Sequence, residues 1–122
     1  MTEMDKYQKI MARVIKRKDL EAELYDAELE FFSSDHENDV DGLIVLRGYR
    51  EDRIKNFEII IKLLKRVEKL KIFKFLKTDA KNQISYFETN IKVLNNDFLR
   101  IDNEINRLKS MKKVPKIISI CS

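Results

Sequence analysis

The sequence predicts an all-α fold, either a long helical hairpin or an up-down-up three-helix bundle with an extended coiled-coil segment. Three observations predict it. From Ile84 to Leu108 an unbroken heptad register places Ile84, Phe87, Ile91, Leu94, Phe98, Ile101, Ile105 and Leu108 at alternating steps of three and four. In 122 residues there are only two Gly and one Pro, too few turn-formers for an ordinary all-β chain. The chain is 38% charged yet 43% hydrophobic, rich in Glu, Lys, Leu and Ile at helical spacing. That balance suits long amphipathic helices and is too apolar for disorder.

The first helix is expected from about Asp5 to Phe32. Met4, Tyr7, Met11, Val14, Tyr25 and Phe32 form one stripe, and Leu20, Leu24, Ala27 and Phe31 lie roughly opposite. The pattern lapses at Lys16-Arg17-Lys18-Asp19, as expected of a helix that touches two neighbours. Residues 33–42, SSDHENDVDG, are the clearest loop signal, and Asp39 or Asp41 is suited to N-cap the second helix. That helix starts near Val40–Leu43, with Leu46, Tyr49, Arg53, Phe57, Ile60, Leu64 and Val67 as its stripe. Leu70 and Phe73 then continue by two consecutive steps of three, a discontinuity that overwinds a coiled coil or moves its seam to a new partner.

Apolar content dips over residues 77–82, where Thr78 is an acceptable N-cap. A turn near residues 76–82 gives three helices of similar length. Without it, one helix of about seventy residues would reach roughly 105 Å at 1.5 Å per residue. Val114-Pro115 is expected to end the last helix, because proline lacks a donor and biases its predecessor toward extended geometry. The organisation read from the sequence is one helical domain over 1–112 and an extended tail over 113–122.

Net charge is +4, unevenly spread. From Asp19 to Asp41 there are ten acids and no Lys or Arg, whereas Lys62 to Lys81 holds eight basic residues against Glu68 and Asp79. The two blocks are arranged either to face each other within a hairpin or to steer a partner. The longest apolar runs, such as Ile59-Ile60-Ile61, are far too short to span a bilayer, and residues 1–18 contain no signal-peptide core. With Cys121 as the sole cysteine, no internal disulfide is available. A cytoplasmic location is expected.

Chemical motifs are sparse. Glu37, Asp39 and Asp41, then Gly42 and Ile44, approximate a calcium-binding loop, but position twelve is Gly48 where a bidentate Glu is needed. An acidic capping loop is the preferred reading. His36, the single histidine, has no Cys or Ser nearby in sequence to activate. No catalytic residue, metal site or cofactor is expected, and the chain is read as a non-enzyme. The helix seam Ile84–Leu108 is the expected surface for a protein partner or self-association. Tyr49, Arg50 and Arg53, residue types favoured at interfaces, and Lys69 and Lys74 from the basic run are candidate surface contacts. Nucleic acid is the lesser alternative for those lysines.

The run Lys16-Arg17-Lys18-Asp19-Leu20-Glu21-Ala22-Glu23-Leu24-Tyr25, together with Leu46-Arg47-Gly48-Tyr49-Arg50-Glu51-Asp52-Arg53, resembles the charged first helix and mid-chain Tyr-Arg segment of the FliJ/YscO group. These are the small coiled-coil stalk proteins of type III secretion and flagellar export. The resemblance implies a long antiparallel hairpin acting as an export stalk or chaperone. The acidic loop and the Ile-rich tail depart from that pattern. A structural or inhibitory adaptor subunit, viral or cellular, is the alternative function.

Overall fold

A computed structural model describes the backbone of residues 2–32 and 39–121 and the side chains of residues 2–31 and 39–111. The described residues form three helices, α1 (Glu3–Phe32), α2 (Val40–Glu68) and α3 (Lys74–Cys121), and are all-α. Helix α1 starts where Thr2 and Asp5 close a reciprocal capping box: Asp5 N–H donates to Thr2 Oγ1 and Thr2 N–H to Asp5 Oδ2, both at 3.1 Å. Asp39 caps α2, its carboxylate accepting from Asp41 N–H at 3.2 Å. The remainder of the acidic loop, including His36 and Glu37, lies outside the described residues.

The turn between α2 and α3 falls at residues 69–73 rather than at the expected 76–82. Its position is that of the doubled three-residue step from Val67 to Phe73. The seam does not overwind there; the chain reverses and the stripe is handed to a new helix. Thr78 lies inside α3, one turn past its start. The Lys69 N–H bonds to the Arg66 and Val67 carbonyls to close α2, and the Lys71 N–H donates to a Glu3 carboxylate oxygen at 3.0 Å. That last bond ties the turn to the first turn of α1.

Helix α2 is the central element. Both α1 and α3 pack along it, while α1 and α3 approach each other only through side chains such as Lys18 and Gln83. All pairings run antiparallel, as the crossings Arg53–Glu21 and Arg47–Asp102 show. The heptad seam of α3 faces α2 of its own chain. Ile84, Phe87, Leu94, Ile101 and Ile105 are buried, and Ile91, Phe98 and Leu108 are half-buried against them. This seam, expected to receive a partner, is thus the internal contact between α2 and α3, because the 69–73 turn returns the chain on itself.

The core comprises two apolar clusters. The larger joins Ile10 and Val14 of α1 to Phe57, Ile60, Leu64 and Val67 of α2 and Ala80, Ile84, Phe87 and Leu94 of α3. The smaller joins Val40, Leu43 and Leu46 to Ile101 and Ile105. Helix α3 continues to Cys121 without stopping at Val114-Pro115, so the extended tail expected over 113–122 is helical as far as Cys121. Proline forfeits one backbone hydrogen bond, and Lys109, Met111, Lys112 and Lys113 before it are good helix formers.

Candidate functional site

Two charged constellations stand apart from the apolar packing. The first lies between the two clusters. Arg50 and Arg53 occupy the face of α2 that Leu46 and Phe57 bury one turn to either side. Arg50 Nε donates to Glu28 Oε1 at 2.8 Å, and its Nη1 lies 3.0 Å from Asp97 Oδ2. Arg53 Nε donates to Glu21 Oε1 at 2.7 Å and its Nη1 to Glu28 Oε2 at 2.6 Å. Arg53 also sits over the rings of Tyr25 and Phe57, at 5.1 and 5.9 Å. One turn further along, Asn56 Nδ2 donates to the Arg17 carbonyl at 2.8 Å. The layer therefore links all three helices.

Arg50 and Arg53 are therefore not the surface contacts expected from their types. Arg50 is buried and Arg53 mostly so, because acids from both flanking helices neutralise them inside the bundle. Tyr49 is half-buried, with its ring 6.0 Å from that of Phe31. The acidic block of α1 meets these arginines and not the lysines of 62–81. Glu28, only 3% exposed, was missed as a site residue because nothing distinguishes it from the other acids of its block except its heptad position.

Burial raises the Glu21 carboxyl above the ordinary carboxylate range, outweighing the Arg53 hydrogen bond that pulls it down; the nearby Glu28 adds to the rise. Its Oε2 is buried without a hydrogen-bond partner. A raised carboxyl favours the folded state most fully below the unfolded pKa, and that contribution is lost as pH rises through the folded value. Glu21→Gln should therefore flatten the pH dependence of melting temperature just above the ordinary carboxylate range. Melting curves for both proteins across that range check this. Parallel slopes would mean that Glu21 is as well solvated folded as unfolded.

The second constellation lies at the end of the bundle where α1 begins and α2 turns into α3. Lys6, Lys9 and Arg13 of α1, Arg66 of α2 and Lys69 of the turn that follows it line an open groove of ≈ 460 Å³ floored by Ile10 and Leu70. Lys6 pairs with Glu3 at 3.0 Å. Among the described residues no carboxylate lies within ion-pair distance of Lys9, Arg13, Arg66 or Lys69. Residues 1–13 and 62–81, which share this end, hold eleven Lys/Arg against four Asp/Glu. The end is thus +7 on a chain of +4, and the remaining residues net −3. Lys69 and Lys74 are both exposed here.

No arrangement of three or more His, Cys, Asp or Glu side chains suited to a metal occurs among the described residues. No described helix is long and apolar enough to cross a membrane. Comparison of the chain with known protein families, with curated proteins and with solved structures found no match. The fold and its charged ends therefore carry the functional argument.

Proposed function

We propose that this chain is a non-enzymatic helical adaptor that docks through its basic end on an anionic partner. The observation that carries the reading is the groove of Lys9, Arg13, Arg66 and Lys69. These cations converge from α1, α2 and the turn after α2 with no carboxylate of the described residues within ion-pair distance, Asp5 acting on Lys9 only from farther off, whereas the arginines of the central layer are neutralised internally. Like charges held together repel, so the arrangement costs stability that an anionic partner restores. A partner met at this end would be found by long-range attraction. A cytoplasmic setting accords with this reading.

Retention on immobilised heparin tests it. Lys9→Glu, Arg66→Glu and Lys69→Glu together should weaken binding roughly a hundredfold, taking about 1 kcal/mol for each cation near an anionic surface. Lys55→Glu, Lys92→Glu and Lys109→Glu change net charge equally but lie elsewhere, away from the groove, and should shift elution far less. Equal shifts for the two triples would reduce the groove to bulk charge and sink the reading. The export-stalk or chaperone role is supported by one feature, the charged antiparallel pairing of α1 with α2. It predicts co-purification with an export ATPase or an exported substrate.

A further inference from the structure

Two large apolar side chains project from the same end as the basic groove. Phe73 and Phe75 are 64% and 68% exposed, at the junction where the α2–α3 turn enters α3. Their rings stack on each other, with centroids 5.7 Å apart and 23° between planes, forming a single apolar knob. Ile72 and Leu76, beside them in sequence, are half-buried, so of the apolar residues over 72–76 the two phenylalanines stand clear of the bundle. Exposed Lys69, Lys71 and Lys74 flank them. The Glu3–Lys71 hydrogen bond ties this turn to the start of α1, so knob and groove lie at one end of the bundle.

We propose that this face binds the surface of an anionic lipid bilayer, with Phe73 and Phe75 inserted at the acyl boundary and the surrounding cations at headgroup level. The inference rests on the anionic-partner reading above and names the partner. A bilayer is the anionic surface that also offers a hydrocarbon layer beneath the charge, which suits an apolar knob collared by lysines. A second copy presenting the same face would bring two +7 ends together. Single-stranded nucleic acid would satisfy the cations and stack on an outer ring face, but it offers no hydrocarbon layer for the knob to enter, and binding to vesicles against oligonucleotide separates the two. The association is peripheral: no described helix can span the membrane.

The test is co-sedimentation of the full chain with phosphatidylcholine vesicles, with and without phosphatidylserine. Binding is expected only with phosphatidylserine and should fall as salt is raised. Phe73→Ser with Phe75→Ser should reduce partitioning at least about tenfold, given the apolar area withdrawn, without changing the thermal melt, because both rings are exposed. The chain has no Trp, so Phe73→Trp provides a unique reporter. Its emission should shift to the blue on phosphatidylserine vesicles and be quenched by brominated acyl chains. Heparin retention with no vesicle binding would overturn the lipid assignment and leave the basic-end reading intact. Phenylalanine-dependent binding of a single-stranded oligonucleotide without vesicle binding would overturn it in favour of nucleic acid. Binding to poly-glutamate alone, indifferent to the two phenylalanines, would overturn it in favour of an acidic protein. Loss of every one of these interactions would remove both readings.

Discussion

Arg50→Met should destabilise the bundle by about 2–3 kcal/mol, the cost of leaving a buried carboxylate oxygen without its donor while Arg53 still holds the other oxygen of Glu28. Arg50 lies between Glu28 of α1 and Asp97 of α3, with a side chain only 9% exposed. Without it, Glu28 Oε1 loses its cation in a position that water does not reach, and Asp97 loses its contact with α2. For a domain whose total stability is about 5–15 kcal/mol, such a loss is a large share of the whole. Pairing the change with Glu28→Leu should restore much of the stability. Arg53 still has Glu21, and Asp97 is partly exposed and lies near Arg100. Urea unfolding of the two single variants and the double completes a cycle in which the coupling is expected to exceed ~1 kcal/mol. A single-variant cost below about 1 kcal/mol would place the layer effectively in solvent.

The same layer explains which parts of the fold were legible in the sequence. The all-helical class, the capping Asp39 and the α3 seam all emerge from apolar spacing and capping chemistry, which sequence displays directly. Helix α1 was harder to read because its inward positions keep strict heptad register while changing chemistry: Tyr7, Ile10, Val14, Arg17, Glu21, Leu24, Glu28 and Phe31. The apparent switch of stripes near residues 16–19 is the point where this face becomes charged. On α2 the matching positions are Leu43, Leu46, Arg50, Arg53, Phe57, Ile60, Leu64 and Val67. A buried Arg–Glu pair looks, in one dimension, like two surface residues. Only opposing registers of complementary charge across two helices would have exposed it.

The second connection was displaced for a related reason. A polar dip with Thr78 imitates a helix start, whereas the true turn is made of Lys69, Leu70, Lys71, Ile72 and Phe73, with no Gly or Pro to announce it. What marked it was the broken heptad phase. The short, apolar, basic turn also concentrates exposed Phe and Lys residues at one end, so the feature that made the turn hard to find is the one from which the docking face is built. Local sequence favours continuing the helix there, and tertiary packing of the α1 and α3 stripes against α2 overrides it.

Leu64→Ala should cost about 2–5 kcal/mol, through lost burial and the cavity left behind. Leu64 has no exposed surface and belongs to the cluster that contains residues of all three helices. Ile91→Ala, on the half-buried rim of the α3 seam, removes a side chain that water already reaches and should cost distinctly less. The ordering comes from topology: α1 and α3 both anchor on α2, so a void in α2 loosens two interfaces, and a gap at the edge of α3 loosens one. The effect should extend to binding, since Ile10 belongs to the same cluster and, with Leu70, floors the basic groove. Amide exchange would show this as faster opening in α1 and α3 together in the Leu64 variant, with weaker heparin retention at temperatures still below the melt. If Ile91→Ala proved as costly as Leu64→Ala, or if only one flanking helix opened, α2 would not be the common support that the packing of both neighbours makes it.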